Sequence, residues 1–129
     1  MKIIITGSAG FIGKNLALHL KSCGHEIVEY EYKENVLPDI TSSNWVIHCG
    51  AITSTTETRV EKILKQNYEF TINLLNLCDR KGINFQYASS ASIYGPSKNF
   101  KENAEKLPQT PYAWSKYLVD RFKRGMLIA

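Results

Sequence analysis

Tyr112 and Lys116 stand four residues apart in Pro111-Tyr-Ala-Trp-Ser-Lys116, a spacing that puts a phenol and an ammonium on one helix face. A free tyrosine, with a pKa of about 10, is a poor base at neutral pH. A lysine charge beside it favours the phenolate, and lysine can also hold a ribose. The pair therefore suits proton transfer to and from a hydroxyl group. Ser90, in Ala88-Ser-Ser-Ala-Ser92, is the serine that could hydrogen-bond the same hydroxyl. Ser90, Tyr112 and Lys116 are the candidate catalytic residues. Such a pair often arises by chance, and it gains weight from the glycines at the other end of the chain.

Gly7, Gly10 and Gly13 follow the apolar β-branched run Ile3-Ile-Ile5, which suits a strand buried on both faces. A strand, a glycine loop and a helix in that order can grip a dinucleotide. Gly7 permits the tight turn, Gly10 the approach of a pyrophosphate, and Gly13 the packing of helix on sheet. Phe11 and Ile12 lie in the first helical turn, where unpaired N–H groups and a partial positive charge face the phosphates. Glu31 comes about 20 residues beyond the loop, where a carboxylate accepts hydrogen bonds from an adenosine ribose. That favours NAD, although Lys33 could pair with the 2′-phosphate of NADP; the choice between NAD and NADP stays open. An exposed turn at Glu31-Tyr-Lys-Glu34 is the plain alternative.

The elements that must position these residues follow from hydrophobic period. A helix is expected over 11–22, with Phe11, Ile12, Leu16 and Leu20 inward and Gly24 ending it. A second strand is expected over 25–31, and Trp45-Val-Ile-His-Cys49 reads as the next, closing at Gly50-Ala51 beside the glycine loop. Gly50 and Ala51 therefore join the cofactor-binding candidates. Between these strands, Val36–Ile40 resembles a remnant third strand, but residues 41–44 reach only about 13 Å at roughly 3.3 Å each. An extended connection without a complete crossover helix is expected. His48, alone in an apolar strand, reads as a packed, hydrogen-bonded side chain ahead of a catalyst or metal ligand.

A long helix is expected over 57–80, its buried face including Val60, Ile63, Leu64, Asn67, Tyr68, Thr71, Leu74, Leu75 and Cys78. Thr55 or Thr56 could cap it. Asn67 is polar on that face and needs a partner, with the glycine loop or the cofactor side of the sheet as candidates. A last strand over 83–88 opens into the serine segment, and Pro111 suits the first position of the final helix.

Bulk properties bound the rest. With 129 residues, 43% hydrophobic and 22% charged, one globular domain over 1–129 is expected. Its fold class is α/β: a truncated Rossmann-like, doubly wound parallel sheet of about four main strands with flanking helices. The net charge of +4 is mild and its lysines are scattered among acids, so no nucleic-acid partner is expected. Cys23, Cys49 and Cys78 are odd in number and unpatterned, which suggests neither a disulfide framework nor a metal site. The absence of a leader or a membrane-length apolar run points to a cytoplasmic protein.

Thr6-Gly-Ser-Ala-Gly-Phe-Ile-Gly13, Tyr87-Ala-Ser-Ser-Ala-Ser-Ile-Tyr-Gly95 and Tyr112-x-x-x-Lys116 resemble the motifs of the extended short-chain dehydrogenase/reductases, the NAD-dependent epimerase/dehydratase family. Gly50-Ala-Ile-Thr-Ser-Thr-Thr-Glu57, Gln66-Asn-Tyr68 and Phe85-Gln-Tyr-Ala-Ser-Ser90 are most similar to its ADP-glyceromanno-heptose 6-epimerase branch. The resemblance implies oxidation and reduction at a sugar carbon of a nucleotide-sugar of the ADP-heptose class. It casts Tyr112 as acid/base, Lys116 as its modifier and ribose ligand, and Ser90 as hydroxyl partner. Gly7, Gly10, Gly13, Glu31 and Asn67 fall on the cofactor side. A homodimer through the helix at 57–80 is also implied. Members of this branch are more than twice as long, so the resemblance implies an absent C-terminal substrate lobe, together with a second acid/base lysine. The alternative is a dinucleotide-binding or dimerisation module without turnover.

Overall fold

The computed structural model describes residues 1–124, which form two compact units: Met1–Ala51 with Asn73–Ala88, and Ile52–Ile72 with residues 89–124.

The first unit holds a parallel sheet of β1 (Lys2–Thr6), β2 (Glu26–Tyr30), β3 (Trp45–His48) and β4 (Asn84–Tyr87). Its order is β2-β1-β3-β4, with Ile4 opposite Val28 on one side and Val46 on the other. The β-branched run of β1 lies at the centre, where both faces are covered. Ile3 and Ile5 pack with Ala17 of α1 (Phe11–Ser22), and Leu16, Leu20, Ile27, Trp45 and Ile47 close around them. Ile4 and Val46, of opposite pleat, are fully buried, as are Leu74, Leu75 and Cys78 of α3 (Phe70–Lys81). Each such aliphatic side chain contributes about 1.5–3 kcal/mol.

The connection from β2 to β3 has no crossover helix, as its length requires, but Val36–Ile40 forms no strand either. Its regular pairing is a single bridge between Lys33 and Val36, fastened where the Tyr30 hydroxyl donates to the Val36 carbonyl at 2.7 Å. The chain then turns before β3, where Ser43 N–H donates to the Ile40 carbonyl at 3.1 Å and Ser42 has φ +64°. Pro38 and Ile40 are buried in this connection, and Asn44 pairs with Lys2 through its backbone and its side chain. Two buried apolar residues thus take the place of a helix.

Phe11 and Ile12 do not face inward: they are 87% and 62% exposed. Phe11 lies about 140° around the helix from Leu16 at 100° per residue. Ile12 shares the inner stripe but sits in the first turn, out of the cluster that Leu16 and Leu20 join.

In the second unit, α2 (Val60–Ile63) leads through a π-helical turn (Leu64–Glu69) into the start of α3. The helix therefore begins at Val60 and not Glu57. Thr55 and Thr56 do not cap it; Arg59 occupies that position without a side-chain capping bond, its guanidinium pairing with Glu57 instead, and Thr56 N–H is turned onto the Ser54 hydroxyl. Val60, in the exposed first turn, is half exposed, while Ile63, Asn67, Thr71, Leu74, Leu75 and Cys78 are buried as their spacing predicts. A 3-10 turn (Ala91–Tyr94) and α4 (Pro111–Arg124) complete the unit. Thr110 caps α4 by accepting from the Ala113 N–H at 3.1 Å, with Pro111 at the first helical position.

Burial pushes the Cys78 thiol up to about 11, whereas Cys23 is exposed. A thiol reagent is expected to modify Cys23 in the native chain and Cys78 only on unfolding, as mass spectrometry of digests would show. The unfolded thiol ionises near 9.0 while the folded one stays protonated. Stability is therefore expected to fall as pH rises from 9 towards 11, and Cys78→Ala should flatten that fall.

Candidate functional site

The glycine loop forms because β1 ends against its two neighbours. Gly7 N–H donates to the Tyr30 carbonyl at 2.9 Å, and Cys49 N–H to the Thr6 carbonyl at 3.1 Å. Gly7 has φ +69°, and a Cβ there would meet Gly50 Cα at 2.5 Å. Gly50 is placed in turn by its N–H bond to Thr6 Oγ1 at 3.3 Å, and half-buried Ala51 follows it. A Cβ on Gly13 would strike the backbone of Gly7 and Ser8, whereas one on Gly10 would meet only the Gly7 carbonyl at 3.3 Å. With that one tight contact, Gly10 is the least enclosed of these four glycines.

Past Gly10 α1 begins. Its first internal bond runs from Lys14 N–H to the Gly10 carbonyl, so the N–H groups of Phe11, Ile12 and Gly13 have no acceptor among the described residues. Gly10 adds no side-chain cap, and no acidic residue stands in the first turn. Orphan N–H donors, a glycine surface and no opposing carboxylate in that turn together fit a phosphate diester. Glu31 projects from the end of β2, where its Oε1 accepts from Ala9 N–H at 2.7 Å and from the Ser8 hydroxyl at 3.0 Å. His48 is buried, hydrogen-bonded to Thr6 Oγ1 and stacked on Phe85, which is the packed role its apolar strand suggests.

The second unit holds Ser90, Tyr112, Lys116 and Asn67. Ser90 is extended and caps the 3-10 turn: its Oγ accepts from Ser92 N–H at 3.2 Å and bonds Ser92 Oγ at 2.8 Å. Helix α4 packs on that turn and on the π-helical turn. Lys116 is 5% exposed on α4, while Tyr112, one turn earlier, is half-buried. Among the described residues, the Asn67 side chain bonds neither the glycine loop nor a strand. Its amide oxygen accepts from Ile52 N–H at 2.8 Å, and its NH2 donates to the Ile52 carbonyl at 3.0 Å and to Ser115 Oγ at 3.2 Å.

Two residues escaped the sequence reading. Ser115 Oγ donates to the Tyr112 carbonyl at 2.6 Å, joining Asn67 to the turn between Tyr112 and Lys116; a small helical hydroxyl carries no signal of this. Asp120 accepts from the Ser89 hydroxyl at 2.8 Å, clipping α4 to the residue before Ser90. Its spacing of four from Lys116 was there to be read. No group of three or more His, Cys, Asp or Glu able to hold a metal occurs among the described residues. Nor is any described helix long and apolar enough to cross a membrane.

The model of the NAD dependent epimerase/dehydratase family matches residues 3–126. The chain belongs to that family. An ADP-L-glycero-D-manno-heptose-6-epimerase of Brachyspira hyodysenteriae is 35% identical over an alignment covering 93% of this chain and 47% of the relative. One from Cupriavidus pinatubonensis is 33% identical, with coverage of 98% and 46%. The crystal structure of the Helicobacter pylori enzyme of that name superposes with a TM-score of 0.83 at 27% identity, over 96% of this chain and 50% of its own. MoeE5 in complex with UDP-glucose and NAD gives 0.85 at 25% identity, over 94% and 47%. The chain thus spans about half the length of the relatives it matches. The Brachyspira alignment runs over 150 positions, more than the chain has residues, so that relative carries segments this chain lacks.

Proposed function

We propose that residues 1–129 form the NAD-binding domain of a nucleotide-sugar epimerase of the ADP-heptose 6-epimerase type. The observation that carries the reading is a buried lysine one turn beyond Tyr112, on a helix packed against the turn that Ser90 caps. The heptose epimerases among its relatives support the substrate class. The family description and the NAD-bound neighbour support NAD as cofactor, as does the Glu31 carboxylate, which a 2′-phosphate would meet unfavourably. Gly7, Gly10, Phe11, Ile12, Gly13, Glu31, Gly50 and Ala51 would make up the dinucleotide side.

Bound NAD would supply a hydride acceptor and donor for a sugar carbon. Tyr112 would take the hydroxyl proton from that carbon and give it back, Lys116 would furnish the cation beside it, and Ser90 would hydrogen-bond the same oxygen. Asn67 would hold α4 in place. The substrate lobe would come from sequence matching the other half of the relatives, and the helix from Val60 would pair two copies in a cytoplasmic homodimer. The half-length match favours a second reading, a dinucleotide-binding or dimerisation module without turnover.

Calorimetric titration with NAD and with NADP tests the cofactor. Saturable binding of NAD, at least about tenfold tighter than NADP, is expected. Gly10→Val should abolish it while costing about 1 kcal/mol of stability, because valine caps a helix less well than glycine and its side chain occupies the approach that a pyrophosphate needs. No binding by the folded chain would refute the cofactor reading. Turnover of ADP-heptose, alone or with a C-terminal half supplied separately, separates enzyme from module.

A further inference from the structure

The glycine loop has few bonds of its own at its apex. Gly10 N–H closes back on the Gly7 carbonyl at 3.1 Å, and Gly7 N–H is tied to Tyr30. Between them, Ala9 N–H and the Ser8 hydroxyl both donate to one oxygen, Oε1 of Glu31. Glu31 directly follows β2, and the pairing of Thr6 with Tyr30 sets it at the height of the loop. Its other oxygen, Oε2, accepts nothing among the described residues. The carboxylate is thus divided, one oxygen spent on the protein and the other open to solvent.

We propose that Glu31 is a positioning residue that braces the apex of the glycine loop through Oε1, leaving Oε2 to meet a ligand hydroxyl. A charged acceptor makes a stronger bond to a backbone N–H than a neutral one. It can therefore hold Ser8 and Ala9 in the conformation that keeps Gly10 and the first N–H groups of α1 presented. Binding then proceeds on a loop already ordered, at a lower conformational cost. Removing the carboxylate should weaken ligands that have no hydroxyl for it to touch. The inference rests on the dinucleotide-binding reading for the identity of the ligand, and on the hydrogen bonds alone for the brace.

Amide exchange at Ala9 in the ligand-free chain, followed by NMR, reads the brace directly. Ala9 is expected to exchange about tenfold faster in Glu31→Ala. Glu31→Gln, which keeps an oxygen acceptor, should retain part of the protection. In parallel, ADP and 2′,3′-dideoxy-ADP are titrated into wild type and Glu31→Ala. Loss of several-fold affinity for the dideoxy nucleotide, with more lost for ADP, is the expected result. Unchanged Ala9 exchange, or weakening confined to ADP, would overturn the proposal and leave Glu31 a ribose ligand only. Binding of neither nucleotide by wild type, with Ala9 responding as expected, would sink the dinucleotide reading and uphold the brace.

Discussion

Gly7→Ala is expected to unfold the chain under conditions where Gly24→Ala leaves it folded. Both glycines have positive φ, +69° and +85°, so alanine strains the backbone by about 1–2 kcal/mol at either. Their surroundings separate them. A Cβ on Gly24 meets nothing within 4 Å, whereas on Gly7 it would lie 2.5 Å from Gly50 Cα and 2.6 Å from Gly50 N. Those atoms continue β3, whose register with β1 is set by hydrogen bonds between buried strands. Relief of the clash means prising β3 from β1 at its carboxyl end, for a total of about 4 kcal/mol or more. Taken from the roughly 5–15 kcal/mol by which domains are stable, that is a large share, and a moderate urea concentration removes the rest. Gly50→Ala should fall between, since its Cβ would come no closer than 3.2 Å to Gly7 N and 3.3 Å to Thr6 Oγ1. Urea titrations followed by circular dichroism order the three variants. A Gly7→Ala transition within about 1 kcal/mol of Gly24→Ala would mean that the strand ends are looser than their packing indicates.

The parts of this protein that were legible in its sequence are those governed by period and backbone sterics. Ile3–Ile5 could be read as a central strand because a parallel strand covered on both faces tolerates no alternation. The missing crossover helix could be read from reach alone. What replaced it could not, because the burial of Pro38 and Ile40 depends on space that only the assembled sheet defines. The first-turn residues Phe11 and Ile12 were misplaced for a related reason. Helical period fixes the angle of a side chain about its axis but not whether the sheet extends beneath it. In the second unit the i, i+4 relation of Tyr112 and Lys116 was visible, and the bonds that hold their helix were not. A buried asparagine announces that it needs a partner without saying which, and the π-helical turn around Asn67 leaves no periodic trace in six residues.

Asn67→Ala is expected to cost about 3 kcal/mol, more than its small side-chain volume would suggest. Asn67 is 1% exposed, and its amide satisfies the Ile52 N–H, the Ile52 carbonyl and Ser115 Oγ together. Alanine leaves those groups without that partner, and each buried polar group so stranded costs about 1–3 kcal/mol unless water replaces the bond. Glutamine is not expected to rescue, because its longer stem carries the amide past Ile52. Asn67→Asp gives the clearest result, since it keeps the acceptor for Ile52 N–H but loses both donors and buries a carboxylate. Desolvation holds such a carboxyl above the unfolded value of about 3.9. The variant should be most stable below that value and lose stability as pH rises through the folded pKa. Denaturant midpoints at pH 4 and pH 7 would show this, wild type serving to remove the background dependence. The consequence reaches the candidate catalytic helix through Ser115, which accepts from Asn67 and donates to the Tyr112 carbonyl. If Asn67→Ala proves neutral, water has taken over the amide's bonds, and the π-helical turn that carries Asn67 must be held by the packing of Ile63, Phe70 and Thr71 instead.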